Sequence, residues 1–443
     1  MNYKIFSLLI ISTLFSQRSY FALDECIKIS IENKLTIKKN KFDLERSELL
    51  LKESYSNILP SINFSADSRL YNQGNLSGLI EQDLFNPLSE GEQSSYLNNS
   101  IGFSLSQNIF DGKMSINRIL QSKNYINLTR QLNKQNLLNI IRDVKVSYYN
   151  YLKSKQILEV SNSSLNSADE QLKLIQNKFN LGSAKKTDLL KAKVRRGQIR
   201  IQVINNNVRF ENAFRNLKNA MGIIESSDDI YIKGIDISNL VIDSIPDYNQ
   251  VIDIITKNNP GVLSTKLQLN NAKYSEKIAK GARYPNFRAS LNYSVDPNQF
   301  YNSFENYSRL NTGISLSLQL YSGYRITSRI RQAKLNVLKI EAEYNEQIQN
   351  LSVTAGVIID RLNNFKEILS INNTILMSAE EDVKLIKEKY NLGAASILEL
   401  LDAEVSEISA RSSIISVQYD LLIEQSNLNA LLGKIDSEYL GNY

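Results

Sequence analysis

The sequence predicts an α+β membrane protein in which one structural unit occurs twice. Three observations lead to that fold class. Motifs recur at a fixed spacing, short segments alternate apolar and small polar residues, and long segments repeat apolar residues every seven positions. Each unit is expected to contain two strands of a long β-hairpin and long antiparallel coiled-coil helices.

The internal repeat is the clearest of these signals, and it extends beyond isolated motifs. Residues 172–192 and 383–403 are identical at eleven of 21 positions. The matching triplets, 211 residues apart, are Phe110-Asp111-Gly112 with Tyr321-Ser322-Gly323 and Asn180-Leu181-Gly182 with Asn391-Leu392-Gly393. A repeat of this length decides the architecture, because both copies are expected to form the same elements.

Alternating residues predict two β-strands in each copy. Ile101, Phe103 and Leu105 alternate with small polar residues, and the second copy repeats this pattern from Ile314 to Leu320. One apolar face and one small polar face over about 10 residues are typical of a transmembrane strand. The predicted strands are 60–72, 97–110, 285–295 and 310–321.

Apolar residues at every seventh position predict supercoiled helices. In the first copy the series runs from Leu137 to Phe179, and in the second from Ile348 to Tyr390. The predicted helices are 24–57, 113–179 and 185–221 in the first copy, and 247–282, 324–390 and 396–432 in the second.

The N-terminal segment has the features of a secretory signal, with Lys4 before an apolar core and Ala22 at the predicted cleavage site. No later stretch has the roughly 18 apolar residues that a transmembrane helix needs, so a bilayer crossing would require strands. The predicted organisation is signal peptide 1–22, first repeat 23–222, linker 223–246, second repeat 247–433 and tail 434–443.

Composition argues against several functional classes. The chain has no His, no Trp and a single cysteine, Cys26, which removes imidazole chemistry and the usual nitrogen and sulfur metal ligands. We therefore expect no enzyme activity, no metal and no cofactor. The formal charge of +6 is too small and too evenly spread to predict nucleic-acid binding.

Four strands cannot close a barrel, and an open sheet in lipid would leave edge groups without hydrogen bonds. The chain is therefore expected to associate with copies of itself. Two copies would supply eight strands, whose interior side chains would fill, and three would supply twelve and a possible lumen.

The sequence resembles the TolC family of outer-membrane efflux and secretion channel proteins. The resemblance rests on Leu23-Asp24-Glu25 leading into Asn33, the two Pro-started hairpins, the paired turn segments, and the stretch Ile397-Leu398-Glu399-Leu400-Leu401-Asp402-Ala403. It covers essentially the whole mature chain.

The resemblance implies a homotrimer whose twelve-stranded β-barrel lies in outer-membrane lipid and continues into an α-helical barrel in the periplasm. Such an assembly would be a passive exit duct for efflux or type I secretion. Its partners would be a periplasmic adaptor (membrane fusion) protein and an inner-membrane transporter, and residues 72–98 and 296–309 would form outer loops. The alternative, a structural or adhesive coiled-coil envelope protein, leaves the alternating strands unexplained.

The resemblance also implies a docking tip for the adaptor at the two turns. Gly182 and Gly393 are independently predicted to end the long helices with positive φ. The predicted docking residues are Asn180, Leu181, Gly182, Asn391, Leu392 and Gly393.

Glu399 and Asp402 match the family's carboxylates at the inner constriction of the channel. Six such groups from three copies would favour cations. Ser396 and Glu399 also form a capping-box sequence, which is a structural alternative for Glu399. Asp402, whose repeat partner is Lys191, has no such alternative.

In the family, an acid in the first turn segment links to a Tyr and an Arg in the second. The Arg position is Ala395 here, so the latch is incomplete unless Lys185 or Lys186 substitutes. Asp188 is equally predicted as an ordinary first-turn acid favoured by the helix dipole. The residues that match the latch are Thr187, Asp188 and Tyr390.

Overall fold

A computed structural model describes residues 20–73, 94–223, 230–237, 245–295 and 308–434. Several predicted segments lie outside the described residues: the signal peptide up to residue 19, outer-loop residues 74–93 and 296–307, linker residues 224–229 and 238–244, and the tail from residue 435.

A short strand, β1 (Tyr20–Phe21), precedes the first repeat, which contains α1 (Leu23–Asn33), α2 (Leu35–Tyr55), β2 (Ser61–Gln73), β3 (Ser94–Phe110), α3 (Met114–Asn180) and α4 (Lys186–Ala220). A second short strand, β4 (Tyr231–Ile232), precedes the second repeat, which contains α5 (Tyr248–Asn258), α6 (Pro260–Gly281), β5 (Asn286–Val295), β6 (Ser308–Ser317), α7 (Arg325–Asn391) and α8 (Ile397–Leu431). The helices α3 and α7 have 67 residues each, and α4 and α8 have 35 each. The two-repeat α+β fold is confirmed.

The chain forms two compact units. One contains the described residues up to Lys41, Gln131–Leu263 and the described residues from Gln347 onward. The other contains Phe42–Arg130 and Ser264–Glu346. In the described part of the chain, no helix combines the length and apolar character that a membrane crossing requires.

The second unit contains an antiparallel sheet in the order β2-β3-β5-β6. It joins the hairpins of both repeats through β3 and β5. Apolar residues pair on one face, as in Phe64 opposite Phe103, whose ring centroids are 5.1 Å apart. Small polar residues pair on the other face, as in Ser106 opposite Ser290.

Two details of the sheet differ from the sequence prediction. The register between β3 and β5 shifts at Asn108 and Phe110, so a bulge interrupts the alternation near the end of the predicted strand 97–110 and places Phe110 opposite Phe287. The strand predicted at 310–321 ends at Ser317. Its partner β5 begins only at Asn286, after Pro285, which has no N–H to extend the ladder.

The helix predicted at 24–57 is divided into α1 and α2 at Lys34, which has an extended backbone. This break lets side chains of the first helix cap the end of α4. Ser30 Oγ donates to the carbonyl of Ala220 at 2.8 Å, and Lys34 Nζ donates to the carbonyl of Asn219 at 2.6 Å. The break therefore serves a tertiary contact, because the last carbonyls of a helix have no partner within it and need hydrogen-bond donors.

The helix predicted at 247–282 is divided in the same way at Asn259, 225 residues later. The residue before a proline avoids the helical conformation, and Pro260 follows. Asn259 Oδ1 accepts from the amide of Gly261 at 2.9 Å, and its Nδ2 donates to the carbonyl of Leu431 at 2.8 Å. Leu431 is the repeat partner of Ala220, so both repeats cap their last helix from the break.

The predicted linker contains a strand that the sequence did not indicate. Tyr231 and Ile232 form β4 and pair in parallel with Tyr20 and Phe21 of β1. Cleavage after Ala22, as predicted, would remove β1 from this pair.

The seven-residue series faces inward in the helical unit. Leu137, Val144 and Tyr151 are buried in a core that also contains Cys26 and Tyr419. Ala355 and Leu362 of the second series are buried as well. The helices therefore pack through the apolar residues that recur at every seventh position.

Candidate functional site at the helix turns

We call residues 181–185 and 392–396, together with the helix ends that flank them, the tip. Both turns have the same backbone. After α3, the amide of Gly182 donates to the carbonyl of Phe179 at 2.9 Å, and that of Ser183 donates to Lys178 at 2.8 Å. The corresponding bonds after α7 run from Gly393 to Tyr390 and from Ala394 to Lys389. These paired bonds are a Schellman motif, which requires the left-handed residue that Gly182 (φ 75°) and Gly393 (φ 77°) supply.

The turns display an apolar side chain in each repeat. Leu181 is 83% exposed and Leu392 is 84% exposed. The adjacent Asn180 and Asn391 end the long helices, and Asn180 Oδ1 accepts from Gln176 Nε2 at 3.0 Å. The two turns therefore expose one leucine each at equivalent positions of the two repeats.

All four helices contribute to a small apolar core beneath the turns. Its buried members are Ile175 of α3, Leu189 and Ala192 of α4, and Ile397, Leu400 and Leu401 of α8. Phe179 and the helix α7 residues Ile386 and Tyr390 are half-buried against it. This core fixes the two turns side by side.

The residues predicted as a latch come only partly together. Burial, and then the charge of Asp188, raises the pKa of Tyr390. Among the described residues, no hydrogen bond joins Tyr390 to Asp188 or to Thr187, which is exposed. Asp188 lies in the first turn of α4, where the helix dipole favours an acid.

A cation that sequence reasoning missed lies over the ring of Tyr390. Lys178 Nζ lies 4.9 Å from the centroid of the Tyr390 ring, within the range of a cation–π contact. Neither Lys185 nor Lys186 makes that contact among the described residues. Lys178 lies in the last turn of α3, and its position there is the only sequence signal.

Glu399 is engaged in the capping box that its sequence predicts. Its Oε2 accepts from the amide of Ser396 at 3.1 Å, and its own amide donates to Ser396 Oγ at 3.3 Å. Its side chain nevertheless remains exposed. The bonds fix the carboxylate at the first turn of α8.

Asp402 is exposed on the next turn of the same helix. It lines a groove of about 360 Å³ between α4 and α8, together with Lys191 and Arg195. Burial lowers the pKa of Arg195, and the charges of Glu404 and then Asp402 oppose that lowering. Asp402 therefore faces cations of its own chain.

Behind Asp402 lies a half-buried polar group that the sequence analysis did not identify. Gln171 Nε2 of α3 donates to Glu404 Oε1 of α8. Burial raises the pKa of Glu404, and the Gln171 bond, Arg195 and Lys387 oppose that rise. Arg195 Nε is buried and has no hydrogen-bond partner in the described part of the chain. These residues come from four helices, so their proximity has no signature in sequence spacing.

The fold and the tip together define a protein made of two repeated units, each with a β-hairpin and a long helical hairpin. The model of the family described as outer membrane efflux protein matches residues 26–223 and 251–434, and the chain belongs to that family. It is accordingly an outer-membrane protein.

Individual relatives are distant in sequence. Outer membrane protein TolC of Escherichia coli (strain K12) is 20% identical over 417 residues, covering 91% of this chain and 80% of that protein. Proteases secretion protein PrtF of Dickeya chrysanthemi is 22% identical over 278 residues, covering 61% of this chain and 58% of that protein. A crystal structure of CusC aligns with a TM-score of 0.81 at 16% identity, covering 93% of this chain and 92% of that one.

Proposed function

We propose that the protein is the exit duct of a tripartite efflux or type I secretion system, formed by three copies of the chain. The duct would conduct its cargo passively to the exterior. In this role the chain would catalyse no reaction. It would enclose a passage and bind partner proteins.

One observation carries this proposal: the four-stranded sheet has two chemically different faces and two open edges. Strands β2 and β6 are the edges in the described chain, so their outer backbone groups lack a strand partner within one copy. In lipid each such group costs several kcal/mol. Joining β6 of one copy to β2 of the next would remove both edges, with the apolar face toward lipid and the small polar face toward a lumen.

The relatives support the same reading. PrtF is named for protease secretion, and the crystal structures of CusC concern transmembrane channel formation. A purely structural or adhesive role for a coiled-coil protein would not explain a sheet with one apolar face and one small polar face.

The tip would serve two purposes in such a duct. Leu181 and Leu392, exposed in equivalent turns, would contact a periplasmic adaptor, which in turn would engage an inner-membrane transporter. Asp188, Tyr390 and Lys178 would hold the helix ends together at rest, with Lys178 supplying the cation that Ala395 cannot.

Glu399 and Asp402 would form carboxylate rings at the inner constriction. Glutamine also satisfies a capping box, so Glu399→Gln removes the charge and retains the cap. We expect the double variant Glu399→Gln, Asp402→Asn to lose cation preference in planar bilayers, measured as a reversal potential under a salt gradient.

The matched control is Asp253→Asn, which removes an exposed carboxylate from the surface helix α5. Unchanged ion preference in the double variant would overturn the constriction assignment. Wild-type protein that forms no conducting channel at all would overturn the exit-duct proposal itself.

A further inference from the structure

The charged residues of the four strands all lie on one face of the sheet. Across the described side chains of the four strands, the apolar face carries no charged residue, as the pairs Leu105 with Leu291 and Phe103 with Tyr293 illustrate. The other face consists mainly of Ser, Asn and Gly, and every charged residue of the paired strands lies on it: Asp67, Arg69, Arg288 and Arg309.

The charge on this polar face is predominantly positive. Three arginines stand against one aspartate, and Asp67 is two residues from Arg69 on the same strand face. Arg309 is level with Ser294, six residues along β5 from Arg288, or about 20 Å at strand spacing. Arg288 is therefore well separated from the other charges of the face.

Arg288 is held so that its charge is available above the sheet. Its Nε donates to Asn108 Oδ1 at 3.1 Å, across the pair that precedes the bulge. Its cross-strand neighbour on the other side is Ser315, and the next pair toward the middle of the sheet is Ser290 with Gly313. Small neighbours leave the guanidinium exposed, and guanidinium groups bind carboxylates and phosphates through paired donors.

We propose that the polar face is an anion-attracting lining of the duct and that Arg288 is its main contact for carboxylate or phosphate groups on cargo. The inference rests on the proposed function, because the three-copy assembly turns one Arg288 into a ring of three. Such a ring concentrates anions locally and repels cations within a Debye length, about 10 Å at 0.1 M salt. The lining would thus have the opposite preference to the carboxylates proposed for the constriction.

A cysteine reporter tests this inference without depending on flow through the tip. Ser290→Cys is nearly isosteric and lies one pair from Arg288 on the polar face. The chain's single cysteine, Cys26, is 0% exposed, and burial and then the charge of Glu25 raise its pKa to about 12, so it reacts slowly. The measurement is the ratio of the reaction rates of the introduced thiol with an anionic and a cationic methanethiosulfonate, in protein reconstituted in lipid.

In the Ser290→Cys background, we expect Arg288→Gln to lower the anionic-to-cationic rate ratio by on the order of threefold or more at low ionic strength. The effect should shrink in 1 M salt, where the Debye length is about 3 Å. Arg288→Lys keeps the charge and should retain most of the ratio. Lys257→Gln, which removes an exposed positive charge from α5, should leave the ratio unchanged.

The outcomes separate the two proposals. If the introduced thiol reacts readily but its rate ratio is indifferent to Arg288→Gln, the anion-attracting lining is refuted and the duct survives. If that thiol is inaccessible to both reagents while Leu291→Cys on the opposite face reacts, the polar face does not line water, and the duct proposal fails with it.

Discussion

The first turns of α4 and α8 occupy equivalent positions in the two repeats, yet they are held in different ways. Ser396 and Glu399 close a reciprocal capping box at the start of α8. The equivalent cap position of α4 is Lys185, whose side chain makes no cap bond and whose charge is unfavourable at a helix N-terminus. Helix α8 is therefore fixed locally, whereas α4 depends on its contacts with the tip core.

The same two helices have also diverged in charge. Lys191 and Lys193 of α4 correspond to Asp402 and Glu404 of α8. Lys191 and Asp402 both line the groove between the helices, so identical residues at these two positions would place like charges on its two sides. Opposite charges at equivalent positions let two copies of one ancestral hairpin form a complementary pair within a single chain.

The largest expected effect comes from the equivalent core leucines, Leu189 and Leu400. Truncating a buried leucine to alanine costs about 2–5 kcal/mol. We expect Leu189→Ala to increase amide exchange in the first two turns of α4 by at least about 30-fold, since no cap holds them. Leu400→Ala should raise exchange less in the first turn of α8, where the capping box remains. Equal increases in the two helices would show that the cap difference has no energetic weight.

A smaller effect is expected from exchanging the caps themselves. Ser396→Ala should weaken the first turn of α8 by about 1 kcal/mol, or roughly fivefold in amide exchange. Lys185→Ser places a capping residue at the equivalent position of α4 and should protect its first turn. Opposite changes from these two substitutions would confirm the comparison, and a neutral Lys185→Ser would contradict it.

The elements that follow from local pattern could be predicted from the sequence. The long helices, the hairpins and the glycine-capped turns depend on periodicity and on single residues such as Gly182 and Gly393. The capping box at Ser396 likewise needed only its own four residues.

Features set by distant residues could not be predicted. The break at Lys34 exists because α1 caps the end of α4, 185 residues away in sequence. The Lys178 contact with Tyr390 and the Gln171 bond to Glu404 join different repeats, so no spacing within either repeat indicates them. The second break, at Asn259, did have a local signal, because the residue before a proline avoids the helical conformation and Pro260 follows. The prediction of one helix over 247–282 did not use that signal.

The smallest effect concerns pH and the half-buried Glu404. Because burial raises its pKa, the folded state binds this proton more tightly than the unfolded chain does. Stability should therefore fall as pH rises from the ordinary value of 4.5 through the raised folded value. Glu404→Gln removes the free-energy cost of burying a charged carboxylate. At pH 8 the variant should therefore protect the amides of α8 near residue 404 by less than about 1 kcal/mol, a small value because the side chain is partly exposed.

At pH 4 the advantage of Glu404→Gln should vanish, since the wild-type carboxyl is then neutral in both states. Protection factors corrected for intrinsic exchange give the measurement, and exposed Glu388→Gln on α7 is the matched control. A variant less protected than wild type at pH 8 would mean that the attraction of Arg195 and Lys387 outweighs burial. In that case the attraction between Glu404 of α8 and the cations Arg195 of α4 and Lys387 of α7 would stabilise the tip in addition to its apolar core.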